Sequence, residues 1–533
     1  MKPAHLKASY DAVVIGSGHN GLVSAAYLGR AGKSVLVLER NATLGGATAS
    51  QKVFPDYDAW LSRYSYLVSL FPSKIVNDLG LTFETKRRST ASFTPYRGSD
   101  GNPKGLVMSN IDSRRSRESM REMTGSDDAW NRYEHLLALE SAIAQPVWPT
   151  LLEPLRARES FQSRMASALE REAWKSFVEE PLGQVIERYA ENDALRGLLM
   201  TDGKIGVHTH PHDPSLIQNR CFLYHVIGNG DGEWRVPVGG MRSLVDSLLE
   251  SCRSAGVETQ TASEVTHVEL GARRHEVTFQ HQGQEGVVEA EHVLVNAGAR
   301  TFAKLFGKEW KPEATDEGSV IKINMLLKRL PEVKAAGVNS EEAFAGSFHI
   351  DEGYAQMQSS YNSSLAGEIP NPAPGEMYCH TLTDPSILSK DLQRQGYQTL
   401  TLFGLDMPHR LFETDHDRRK EQVKRLYLEG LDRICAEPFA DCLAVSNDGN
   451  PCIEIKTPQD LEREVDLDLG NIFHNSLSWF FADSPEDVGT WGVETEYARV
   501  YRAGSSALRG GAVSGIPGHN AAKCVLGHGN RFP

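Results

Sequence analysis

Apolar positions along this chain fall into short unbroken runs near its two ends and into helix-spaced stripes between them. Residues 12–15 (AVVI) are a run long enough for one buried strand, and residues 35–38 (VLVL) are a second. Between them residues 22–28 (LVSAAYL) are small and apolar, as a helix packed on a sheet requires, and Gly32 breaks the pattern. Strand, tight turn, helix and strand are therefore expected within residues 10–39. An aromatic-rich stretch over residues 54–81 turns helical from Pro72 and stops at Gly80; its Tyr57, Trp60, Tyr64 and Tyr66 are candidates to line a ligand channel. Residues 85–105 are polar, with short strand-like pieces such as SFTPY. From about residue 111 to residue 199 apolar residues recur at threes and fours, broken by Pro146 and Pro149, which predicts a largely helical insertion.

The strand-and-helix pattern resumes at Trp234. Gly239 and Gly240 precede a helix carrying Leu244, Val245, Leu248 and Leu249, and Gly256 ends it. Strands are expected at residues 257–261 and 265–270, in HVLVNAG at 292–298, and at 500–503. Residues 315–459 mix strand-like pieces (VIKINMLLKRL, FAGSFHI, TLTLFGLDM) with an amphipathic helix over 420–435. The expected fold class is α/β plus α+β. A Rossmann-like nucleotide domain is assembled from residues 1–85, 232–305 and 470–533, and a substrate region from residues 86–231, mostly helical, and 306–469, with a mixed sheet.

Glycine spacing gives the first of these domains a chemistry. Gly16, Gly18 and Gly21 stand at G-x-G-x-x-G spacing between strand and helix. Gly16 permits the tight turn, Gly18 lets a pyrophosphate approach the backbone, and Gly21 lets helix and sheet pack closely. The helix N-terminus offers free N–H groups to the phosphates. Glu39 ends the second strand, where a carboxylate accepts from a ribose diol and repels a 2′-phosphate, so the ligand is expected to be FAD or NAD rather than NADP. Gly45-Gly46 suggests a second place where backbone lies against a cofactor. Glycines recur at 510, 511, 515 and 518, which makes sense if both chain ends converge on one large cofactor.

Composition narrows the class further. At 533 residues the chain exceeds one ordinary core. A net charge of −14 argues against nucleic acid as a partner, and no run of 18 apolar residues suggests a transmembrane helix. The first eight residues, MKPAHLKA, leave no room for a secretory segment before the first strand. Seven scattered cysteines predict reduced thiols in a cytoplasmic protein, and Cys435 and Cys442 are too far apart for a C-x-x-C redox pair. His208, His210 and His212 alternate, but Pro211 and Pro214 make them loop residues without a completed metal site. The amphipathic helices could pack within the chain or between subunits of a homo-oligomer.

Five motifs spread over nearly the whole length carry a family likeness: VVIGSGHNGLVSAAYLGRAG, LGGATAS, PVGGM, GNIFH and GGAVSGIPGHNAA. They resemble the phytoene desaturase-related FAD-dependent oxidoreductases of the amine oxidase-like superfamily, above all the branch of pyridine nucleotide-disulphide oxidoreductase domain-containing protein 2. The resemblance implies FAD as cofactor, with contacts at Gly16, Gly18, Gly21, Glu39, Arg40, Gly46, Val265, Gly504, Gly515, Ile516 and Asn520. The compact ALRGGAVSGIPGHNAA departs from the THPGGGIPG-like form of carotenoid desaturases, and the disulphide chemistry in the branch name lacks its cysteine pair. The expected reaction passes hydride from a small organic substrate, apolar or unsaturated, to flavin N5, and electrons onward to oxygen, a quinone or another acceptor. His519 and His474 are the candidate catalytic groups, because histidine titrates near neutral pH. Tyr66, Tyr361 and Trp479 are candidates to shape the pocket. Amine oxidation, redox-neutral flavin isomerisation and a non-catalytic FAD-bound interaction protein stay open beside this reading.

Overall fold

The computed structural model describes residues 6–527; the first five residues of the N-terminal stretch read above, and residues 528–533, lie outside it. Strand β1 (Ser9–Ile15), helix α1 (His19–Arg30) and strand β2 (Val35–Leu38) follow one another as the apolar runs require. β1 lies inside a seven-stranded sheet whose order is Ser263–Glu269, His275–His281, Gln284–Val295, β1, β2, Glu258–Gln260, with Val500–Arg502 paired to the end of Gln284–Val295. β1 runs parallel to both neighbours, Val13 standing opposite Leu36 on one side and Val293 on the other. Parallel strands covered on both faces lose the alternation of polar and apolar residues, which is why VVI and VLVL are unbroken. Residues 12–14 and 35–38 are buried throughout.

A second seven-stranded sheet runs Ile453–Lys456, Ile321–Leu327, Gln398–Gly404, Gly375–Cys379, Ser347–Ile350, Thr90–Arg97, Pro103–Ser109. The hairpin of Thr90–Arg97 and Pro103–Ser109 precedes the helical insertion in sequence. It joins this sheet by a parallel pairing in which Phe93 faces Phe348. Periodicity marks those residues as strands, but only long-range pairing says which sheet receives them. The helices of residues 113–226 cover the second sheet and share a core with it and with Phe480, Phe481 and Ile516. One helix differs from expectation: Asp128–Val147 runs through Pro146, because the loss of one N–H in the final turn leaves the preceding turns intact. Another, His416–Ile434, begins four residues before the expected start.

The two ends of the described chain meet. The C-terminal helix Ile516–Val525 lies on α1 so closely that a Cβ on Gly518 would strike the Asn20 carbonyl. Among the described residues no helix is long and apolar enough to cross a membrane.

Candidate cofactor and substrate site

The turn after β1 is held from three sides. Gly16 has φ +95°, a conformation side chains disfavour, and its N–H donates to the Leu38 carbonyl at 2.8 Å. Asn296, the first polar residue after the buried run of its strand, donates through Nδ2 to the carbonyls of Gly16 at 3.1 Å and Gly18 at 3.3 Å. A Cβ on Gly16 would collide with the Asn296 carbonyl, and one on Gly21 with the Gly16 carbonyl. The three glycines thus let the backbone, and a residue the sequence reading did not single out, close on one another.

Glu39 is buried and organises the loop beneath the cleft. Its carboxylate accepts from Ser17 N at 2.9 Å, Ser17 Oγ at 2.7 Å and Asn41 N at 2.9 Å. That occupies three of roughly four acceptor positions and leaves one for a ligand hydroxyl. Ser17 Oγ in turn accepts from Gly45 N at 3.2 Å, and Gly18 and Gly45 form a parallel bridge, so the second glycine turn lies against the first.

These loops enclose a cleft of about 550 Å³, lined by Gly16, Gly18, Glu39, Arg40, Gly46 and Val265 among others. Gly21 lies under the turn, and Gly504 packs on Asn296 while its neighbour Ser505 faces the cleft. The structure places Gly515, Ile516 and Asn520 away from it. Gly515 caps the C-terminal helix against Phe71, Ile516 is in the core, and Asn520 Nδ2 donates to the Leu151 carbonyl at 3.2 Å. The small residues there allow close approach to α1, and the loop before the helix, with Ala512 and Val513, reaches the site.

The cleft adjoins a second cavity of about 330 Å³, with which it shares His19, Ala47, Tyr64, His474 and Ser505 as walls. His474, in left-handed backbone at φ +68°, and His19, at the start of α1, carry buried ring nitrogens without hydrogen-bond partners. Burial lowers both, His19 to about 3 and His474 to about 4, so both imidazoles are neutral. Tyr66 lines the cavity, stacked on Tyr378 with ring centroids 4.6 Å apart, and donates to Glu376 at 3.2 Å. Of the four early aromatics, Tyr64 and Tyr66 line the space; Tyr57 instead donates to the Val445 carbonyl and Trp60 is partly exposed.

Three expected site residues stand elsewhere. His519 lies between Tyr27 and Trp491, its Nδ1 paired with Asn520 Oδ1 at 2.9 Å, on a helix face turned into the core. Tyr361 packs on His208 and His210 at 4.7 and 5.1 Å, and Trp479 stacks on Phe481 at 5.4 Å. None of the three lines the cleft or the cavity. His208 pairs with Ser364 Oγ at 2.7 Å, and no group of metal-ligating side chains occurs among the described residues. All seven cysteines are free thiols.

The cavity's polar groups come from segments that the sequence reading passed over. Lys322, the one charge in the run VIKINMLL, is buried, donates to the Ser62 carbonyl at 2.8 Å, and is held well below the ordinary lysine range by that burial. Burial, with Asp202 nearby, pushes Glu376 up to about 7, and Asp202 is raised by its own burial. Arg88 completes the set. A lone lysine inside a strand buried at every position was the available signal; the others had none in local pattern.

A family profile described as an NAD(P)-binding Rossmann-like domain matches residues 14–77. An uncharacterized protein of Mycobacterium tuberculosis is 41% identical, covering 97% of both chains. Pyridine nucleotide-disulfide oxidoreductase domain-containing protein 2 of Rattus norvegicus is 30% identical, covering 98% of this chain and 94% of the relative. Among solved structures, cyclohexylamine oxidase from Brevibacterium oxydans superposes with a TM-score of 0.55 at 14% identity, covering 98% of this chain and 99% of that one, a likeness of fold. The chain belongs to the family of pyridine nucleotide-disulfide oxidoreductase domain-containing protein 2, among the oxidoreductases with an amine oxidase-like fold.

Proposed function

We propose that this protein is an FAD-dependent dehydrogenase or desaturase acting on a small, largely apolar organic substrate. The observation that carries the reading is that the glycine-lined cleft and a mostly apolar cavity lie side by side, sharing His19, Ala47, Tyr64, His474 and Ser505 as walls. The cleft suits a flavin dinucleotide on its own terms: a tight turn whose packing leaves no room for a Cβ at Gly16 or Gly21, a helix N-terminus, and a buried carboxylate with one acceptor position to spare. When bound, FAD supplies a hydride acceptor at N5.

The chain's own residues supply the rest. Gly16, Gly18 and the N-terminus of α1 are suited to hold a diphosphate, and Glu39 a ribose diol. Arg40 and Val265 complete the walls of the cleft. Tyr66, Phe403 and Tyr133 give the substrate cavity aromatic walls that exclude water. Glu376 is poised to hold or release a proton near neutral pH, and Lys322, whose pKa burial lowers, stands in the same cavity wall. His474 faces both spaces as a neutral imidazole.

The test is to purify the protein without added flavin, identify any yellow cofactor, and mix it anaerobically with alicyclic, unsaturated and amine donors. Bleaching by C–H donors supports the proposal. Bleaching by amines alone would move the protein to amine oxidation, turnover after prior reduction without acceptor consumption to isomerisation, and a flavin that no donor reaches to a binding role.

A further inference from the structure

We propose that the substrate carries a carboxylate and that Arg88 anchors it, which makes the substrate class, within the function proposed above, a hydrophobic carboxylic acid. Arg88 stands just before the strand Thr90–Arg97, lines the cavity, and is 7% exposed. Its Nη1 donates to Ser347 Oγ at 3.2 Å, while its Nε is buried without a partner. Among the described residues no acidic side chain forms an ion pair with it.

A guanidinium stays charged, and burying it unpaired is costly unless something else arrives to satisfy it. Its planar fork fits a carboxylate through two parallel hydrogen bonds. Glu376 and Asp202 line the same cavity and feel its charge, but neither forms a hydrogen bond or ion pair with the guanidinium, and burial raises the pKa of both. Lys322 lines the same cavity, but its Nζ is already engaged, donating to the Ser62 carbonyl at 2.8 Å. Around these groups Leu198, Ile205, Tyr133 and Phe403 offer apolar surface to the body of the ligand. A fixed guanidinium with an unsatisfied N–H in a mostly apolar cavity selects an acid with a hydrocarbon body over a neutral or cationic molecule of the same shape.

The experiment is calorimetric titration of the full-length, flavin-loaded protein with cyclohexanecarboxylate and 4-phenylbutanoate, each against its neutral amide. Wild type is expected to bind each acid about tenfold or more tightly than the amide. In Arg88→Gln the two should bind alike, and Arg88→Lys should keep part of the gap. Thermal unfolding of each variant separates lost binding from lost folding, and the wild-type comparison stands even if a variant does not fold. Equal affinity for acid and amide in wild type, binding of neither, or a gap that survives in a folded Arg88→Gln would overturn the anchor. Flavin content is measured on the same samples. Colourless protein that still prefers acids would sink the flavin reading alone, and yellow protein without the preference would sink the anchor alone.

Discussion

The Asn20 side-chain amide donates to the Ser505 hydroxyl at 3.2 Å, across 485 residues of chain. Two residues before Asn20 is the last backbone of the glycine turn, and Ser505 is a wall of both the cleft and the cavity. If the cleft holds FAD as proposed, its retention should depend on how the C-terminal segment seats on α1.

Gly518→Ala tests that dependence. Its new methyl group would meet backbone, the Asn20 carbonyl, which cannot swing aside as a side chain does. Overpacking of this kind costs about 1–3 kcal/mol. A lowered melting temperature together with reduced flavin per protein is the expected outcome; an unchanged flavin content at full stability would show that the two ends are not coupled.

Glu39→Gln removes the charge that accepts from Ser17 and Asn41 and replaces one acceptor oxygen by an amide donor. Hydrogen bonds to a charged group are worth about 1.5–3 kcal/mol, so flavin affinity should fall by roughly 10- to 100-fold. Equilibrium dialysis against FAD measures it. NAD offered in parallel reports whether the carboxylate serves both nucleotides.

The two histidines nominated by sequence should separate cleanly. His474→Ala removes a wall that cleft and cavity share and should slow anaerobic flavin reduction by about tenfold or more. His519→Phe, in the core between Tyr27 and Trp491, should leave that rate within about twofold and change only the thermal midpoint. Stopped-flow absorbance on both variants decides it.

Glu376 binds its proton more tightly in the folded chain, at about 7, than an ordinary glutamate does. Burial is the main cause and Asp202 the next; Arg88 and the Tyr66 hydroxyl pull the other way, and Glu352 lies close enough to feel its charge. Its contribution to stability is thus fully present below the ordinary glutamate range and is lost as pH rises toward and through about 7, by at most about 3 kcal/mol. Chemical denaturation between pH 5 and about 8 should show stability falling, and Glu376→Gln should flatten that fall.

How much of this was legible beforehand follows from sequence distance. β1, the glycine turn, α1, β2 and Glu39 lie within thirty residues, so hydrophobic pattern and spacing fix them together. Tyr66 was found because aromatic density flagged its neighbourhood. Arg88, Asp202, Lys322 and Glu376 come from four separated segments, and nothing local distinguishes Arg88 from Arg87 beside it. In the C-terminal helix the small residues announce that something approaches closely, but not what. At Gly518 the approaching object is α1.

Phe93 opposite Phe348 also sets the order in which the molecule can be made. As the chain emerges from the ribosome, the hairpin of residues 90–109 waits with an open edge until residues 347–350 follow, more than two hundred positions later. A chain interrupted anywhere between them releases a stump with an unpaired strand edge. Dividing the gene between residues 109 and 347 should therefore yield a first fragment that aggregates.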